Sequence, residues 1–185
     1  MPRILWVVIV GILLLPRAEA QTANEVSFGV GASLLGTGDV TIISVEGEAM
    51  HHWNRLVSGA AALGLGYGNT YWYDQSGFST LFSRDATAHL DATFLLSPFG
   101  NNSTYRLSLG TGPSLMYVRD QDFRRYGDIA EYESPEHRVS LGASVVLEQS
   151  IRLRSQYRLG VKAMFQPYLN GDGALTLLVR IGHGR

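Results

Sequence analysis

Apolar residues recur at every second position through most of this chain. The clearest runs are Ala86, Ala88, Leu90, Ala92, Phe94, Leu96 and Leu175, Leu177, Val179, Ile181. Between them stand small, polar or charged residues: Thr87, His89, Asp91 and Thr93 in the first run, Thr176 and Arg180 in the second. A period of two belongs to a strand with two unlike faces. The pattern predicts eight strands: about Glu25–Leu35, Val40–Met50, Arg55–Tyr67, Arg84–Leu96, Thr104–Val118, His137–Glu148, Gln156–Gln166 and Ala174–Ile181. The second is the least regular, because Ile42-Ile43 interrupts the alternation. No helical period of comparable strength is present.

The connections alternate in length. Those after strands two, four and six are short, around His51-His52, Pro98–Asn102 and Gln149–Arg154. Those after three, five and seven are longer: Gly68–Ser83, Tyr126–Glu136 and Pro167–Gly173. The first, Gly36–Asp39, is a tight turn that departs from this rule. Aromatic residues gather near strand ends, with Trp53, Tyr105 and Tyr157 towards one rim and Tyr67, Tyr117, Phe165 and Tyr168 towards the other. Short turns opposite long loops, with two aromatic bands, fit an eight-stranded antiparallel up-and-down transmembrane barrel, all-β, with short periplasmic turns and longer extracellular loops. A soluble barrel would instead turn its apolar face inward.

The first 20 residues add a compartment. Arg3 precedes an apolar run, Ile4–Leu15, and Ala18-Glu19-Ala20 matches a cleavage site. Residues 1–20 are thus expected to be a signal peptide, and residues 21–185 one barrel domain in the outer membrane. The chain has no cysteine, which excludes disulfides and thiolate metal sites. Its net charge of −1, from 15 Lys+Arg against 16 Asp+Glu, gives no electrostatic footing for nucleic acid.

If the apolar face meets lipid, the other face is enclosed. It is expected to carry the acids Glu46, Glu48, Asp85, Asp91 and Glu148 and the bases Arg106, Arg138, Arg158, Lys162 and Arg180. Enclosed charges must be paired, so an ion-paired interior network is expected. An eight-stranded barrel is just wide enough for side chains to fill it, which argues against a wide pore. His89 belongs to the same face and reads as part of that network rather than as a metal ligand or proton relay. His51-His52 is expected in a solvated turn. Ser140 follows His137 by three positions, which puts them on opposite faces of one strand, so they make no triad. No catalytic, cofactor or metal site is predicted. The long loops offer two interaction surfaces: an aromatic one with Tyr71, Trp72, Tyr73 and Phe78, and a mixed-charge one in which Arg124 and Arg125 can pair with lipid phosphates.

With its signal sequence, amphipathic strands and aromatic rims, the chain resembles the small outer-membrane barrels of the OmpA-domain, OmpX and OmpW kind. The resemblance implies outer-membrane lipid, lipopolysaccharide and the barrel assembly machinery as partners, with an extracellular partner met through the loops. It also implies an aromatic last residue, whereas this chain ends Ile181-Gly182-His183-Gly184-Arg185. The leading functional expectation is a non-catalytic barrel with a structural or surface-interaction role. A narrow channel for a small solute or ions, a lipid-modifying barrel enzyme and a soluble periplasmic barrel are the alternatives.

Overall fold

The computed structural model describes residues 24–36, 40–73, 79–126, 129–132, 134–154 and 156–184. The expected signal peptide, residues 1–20, lies outside them. The described elements are all strands: β1 Asn24–Leu35, β2 Val40–His52, β3 Val57–Tyr73, β4 Ser79–Leu96, β5 Tyr105–Tyr126, β6 Ile129–Tyr132, β7 Glu136–Arg152, β8 Tyr157–Pro167 and β9 Gly173–Gly184. Consecutive strands pair antiparallel, except that β6 and β7 both pair with β5, and β1 pairs with β9 from Glu25↔Gly184 to Leu35↔Ala174. β6 and β7 are two stretches of the same return course along β5. The fold is therefore a closed eight-stranded antiparallel barrel, in which every course of the ring has a ladder to the course on either side.

The faces are inverted relative to a water-soluble barrel. Outward-pointing Val26, Phe28, Val30 and Leu34 on β1 are exposed, as are Val139, Leu141, Val145 and Leu147 on β7 and Leu175, Leu177, Val179 and Ile181 on β9. The alternate positions are buried and largely polar or charged. From Val26 to Leu34 the outward run covers about 26 Å of strand at 3.3 Å per residue. Trp53 packs on Phe94 with ring centroids 5.8 Å apart, and Phe99 on Tyr105 at 6.3 Å, at the end that carries both termini. At the opposite end the Tyr117 hydroxyl lies 2.6 Å from His137 Nδ1.

Several expectations are corrected. The segments Gly68–Ser83 and Tyr126–Glu136 are not loops throughout. β3 continues to Tyr73, β4 begins at Ser79, and β5 runs for 22 residues to Tyr126 before β6 returns beside it. Phe78 lies outside the described residues, whereas the backbones of Tyr71, Trp72, Tyr73, Arg124 and Arg125 belong to these extended strands. His51 and His52 end β2 rather than forming a turn, and His52 is buried. Tyr168 is not on the rim: it turns inward, with its hydroxyl 3.0 Å from Ser114 Oγ. The Ile42-Ile43 pair keeps the alternation. Ile42 lies inside, in an apolar cluster with Leu35, Met116, Val118, Tyr168 and Ala174, while Ile43 points outward.

Candidate functional site: a charged ladder across the lumen

Inward positions of six strands place a run of charges of alternating sign along the lumen. Arg106 on β5 reaches straight across to Glu25 on β1, donating from Nη1 to Oε2 at 2.7 Å and from Nη2 to Oε1 at 2.9 Å. Its Nη2 also donates to Glu148 Oε1 at 2.8 Å. Arg180 on β9 continues the run, with Nη1 donating to Glu148 Oε2 at 2.7 Å and Nη2 to Glu48 Oε1 at 2.6 Å. The same Nη2 donates to Ser27 Oγ. Lys162 on β8 donates to Glu48 Oε2 at 2.6 Å and to Glu46 Oε1 at 2.7 Å. Both oxygens of Glu48 and of Glu148 are thus shared between two cations. Charge-assisted pairs of this kind tolerate burial because each charge faces its opposite at contact distance.

Both ends of the ladder have their own partners. Beyond Glu46, His89 Nε2 lies 3.5 Å from Glu46 Oε2 and 3.5 Å from Asp91 Oδ2. Gln166 donates to both Asp91 oxygens at 3.1 Å, and its nitrogen lies 3.3 Å from Ser114 Oγ. At the terminal end, Arg158 donates to the carbonyls of Asn101 and Ser103 at 2.9 and 2.7 Å. The β4–β5 turn is itself tied across that end. Asn101 N donates to Arg55 O at 2.7 Å and Asn101 Nδ2 to Asn54 O at 2.8 Å. Buried apolar side chains fill the space beside the ladder: Met50, Ala60, Leu95, Val146, Met164 and Leu178.

Glycines on the inward face make this possible. Gly29 is the register partner of Arg180, and a Cβ there would stand 2.9 Å from the arginine Cγ. Gly64 is the register partner of His89, and a Cβ there would stand 2.0 Å from the imidazole Cε1. Large polar side chains lie flat across a strand that has no side chain at that point. Gly64→Ala is therefore expected to displace the His89 ring and to cost about 1–3 kcal/mol of stability as overpacking, read as a lower urea midpoint for the folded barrel.

The expected interior residues divide by position. Glu46, Glu48, His89, Asp91, Arg106, Glu148, Arg158, Lys162 and Arg180 are buried and brought together. Asp85 is buried higher up, lining a recess at the opposite mouth with Asp120, Arg138 and Asp172. Arg138 is a correction: its side chain is 44 % exposed at that mouth, 3.8 Å from Asp120 and 3.6 Å from Asp172. Sequence reasoning missed Glu25, His52 and Gln166. Glu25 anchors one end of the ladder, and His52 lies 3.7 Å from it while its Nδ1 is 2.6 Å from Ser58 Oγ. Parity held the signal, since Glu25 shares a face with Ser27 and Ser33, and His52 with Glu46 and Glu48.

No protein-family model matches the chain, and no curated protein matches it. Solved structures do. A major outer membrane protein from Thermus thermophilus aligns with TM-score 0.62 at 11% identity, over 89% of this chain and 100% of that one. Ail, the attachment invasion locus protein of Yersinia pestis, aligns with TM-score 0.58 at 9% identity, over 89% and 99%. The N-terminal barrel domain of Pseudomonas aeruginosa OprF aligns with TM-score 0.57 at 13% identity, over 89% and 98%. At these identities the likeness is one of fold.

Proposed function

We propose that this chain is an integral outer-membrane barrel, non-catalytic, with a closed lumen and a surface-interaction role. The observation that carries the reading is the inverted barrel: an apolar outer belt around an ion-paired interior. In water that belt is a large exposed apolar surface, whereas in a bilayer it is solvated. The end that carries the termini and the tied turns is assigned to the periplasm. The opposite end faces outward, and the belt meets lipid and lipopolysaccharide. Assembly would run through the barrel assembly machinery.

Strand length supports the surface role. About 9–11 residues cross a bilayer, yet β3, β4 and β5 have 17, 18 and 22. The surplus rises beyond the belt as a paired β-ribbon, and it includes the Tyr71-Trp72-Tyr73 segment and Arg124-Arg125. Replacing residues 70–83 by a tight turn is expected to leave the barrel folded and heat-modifiable while abolishing whatever attachment to other cells the unsubstituted protein confers on the cells that carry it. Unchanged attachment would remove the ribbon from the account.

The same packing bears on the channel alternative. Arg106, Lys162, Leu95, Met164 and Leu178 are all at most 1 % exposed and stand in the lumen. In planar bilayers the intact protein is expected to give no stable conductance steps. Reproducible steps that vanish on neutralising Arg158 and Lys162 would establish the channel reading instead.

A further inference from the structure

The ladder changes character at Glu46. From Glu25 to Glu46 every carboxylate oxygen but one is held by a cation at hydrogen-bond distance. The exception is Glu46 Oε2. Opposite it stands His89 Nε2. Among the described residues neither atom has a hydrogen-bond partner, although Glu46 is 2 % and His89 8 % exposed. A buried, unpaired carboxylate oxygen is costly, and an imidazole nitrogen aimed at it from 3.5 Å does not repay it.

The geometry identifies what would. A single ring nitrogen, His89 Nε2, faces two carboxylates, at 3.5 Å from Glu46 Oε2 and 3.5 Å from Asp91 Oδ2. One N–H cannot point along both lines, and both are long for a hydrogen bond. One donor atom from each of Glu46, His89 and Asp91 lies within 4.8 Å of the other two. With two sides of 3.5 Å and a third no longer than 4.8 Å, the centre of the triangle is no more than about 2.4 Å from each corner, close to the Zn–N and Zn–O bond lengths of about 2.0–2.2 Å. A cation at that point serves all three ligands at once.

The surroundings suit a cation. Along the ladder and at its two ends, five carboxylates, Glu25, Glu46, Glu48, Asp91 and Glu148, meet four cations, Arg106, Arg158, Lys162 and Arg180. Asp91 sits at the end where the cations stop, and the amide of Gln166 donates to both its oxygens. That amide fixes the direction of the carboxylate, as partners behind a metal ligand do. The Gly64 gap lets the imidazole lie flat against β3 so that Nε2 meets the two acids. Glu46 spends Oε1 on Lys162 and keeps Oε2 for the ion.

We propose that Glu46 Oε2, His89 Nε2 and Asp91 Oδ2 form a lumenal site for one divalent transition-metal ion of the zinc class. A mixed nitrogen and oxygen donor set without thiolate selects zinc-like ions over calcium and magnesium, which prefer oxygen alone. The ion would join β2 to β4 inside the barrel and continue the alternation of charge one step past Glu46. The site rests on the barrel fold and is independent of the surface role proposed above.

The test uses the full-length mature protein folded in detergent, stripped with a chelator and titrated with zinc alone by calorimetry. One zinc per barrel is expected. His89→Gln and Asp91→Asn should each weaken binding at least 10-fold while the variants stay heat-modifiable, and His183→Gln, on the exterior, should leave it unchanged. Zinc-edge X-ray absorption on the unsubstituted protein, which does not depend on any variant folding, should show one imidazole among oxygen ligands at about 2.0–2.2 Å. No uptake, uptake unaffected by His89→Gln, or a spectrum with two or more imidazoles would each overturn the proposal.

Discussion

Val179→Arg is expected to destabilise the barrel by about 2–4 kcal/mol in a bilayer, the cost of an arginine on the lipid face near the midplane. Val179 is 60 % exposed and stands level with Val30 on β1 and Val161 on β8, in the middle of the apolar belt. The same substitution on a water-soluble barrel would be a surface change worth within about 0.5 kcal/mol. The size of the effect therefore separates the two environments for this face. Urea unfolding in lipid vesicles, followed by gel mobility, measures it. Leu169→Arg is the control, because Leu169 is 87 % exposed in the β8–β9 connection, outside every strand. It should change the midpoint by no more than about 0.5 kcal/mol.

Arg106→Ala is expected to cost about 3–5 kcal/mol, the range for removing one partner of a buried ion pair. Arg106 is 1 % exposed and forks onto Glu25 while also holding Glu148. Its loss leaves Glu25 with Arg158 at 4.0 Å and His52 at 3.7 Å, neither at close contact. Arg106→Lys should recover part of the loss, because an ammonium cannot make the two-pronged contact. Pairing Arg106→Met with Glu25→Gln should recover more, since it removes the buried charge along with its partner. A double-mutant cycle over Arg106 and Glu25 is expected to show a coupling well above about 0.5 kcal/mol. Additive effects would mean that the two side chains do not meet across the lumen.

The strands and their faces were legible because one face of each is apolar, and a two-residue period survives small errors of boundary. What lay beyond the belt was not legible for the same reason. Where β3, β4 and β5 rise past it, the environment is no longer divided into lipid and lumen, so residues such as Asn69, Thr70 and Tyr71 carry no alternation and read as loop. Parity also gives a face without a height. Arg138 shares its parity with buried Ser140 yet lies at the open mouth. Tyr168 follows Pro167, where the strand has ended, and the chain turns there with Tyr168 N donating to Asp172 O at 3.0 Å. The charged residues could be named, but not their partners. Glu25 and Arg106 are 81 residues apart in sequence and meet because β1 and β5 face each other across a ring of eight. That meeting depends on the register of every ladder between them, and no local pattern carries it.

The measurement that bears most directly on the inverted barrel is gel mobility of the protein, with and without boiling, in separated outer-membrane and soluble fractions. A compact, faster band in the unboiled outer-membrane fraction that slows on boiling is the predicted result. Recovery in the soluble periplasmic fraction with no change of mobility would contradict it, because the belt of Val30, Val161 and Val179 would then have to be covered by something other than lipid.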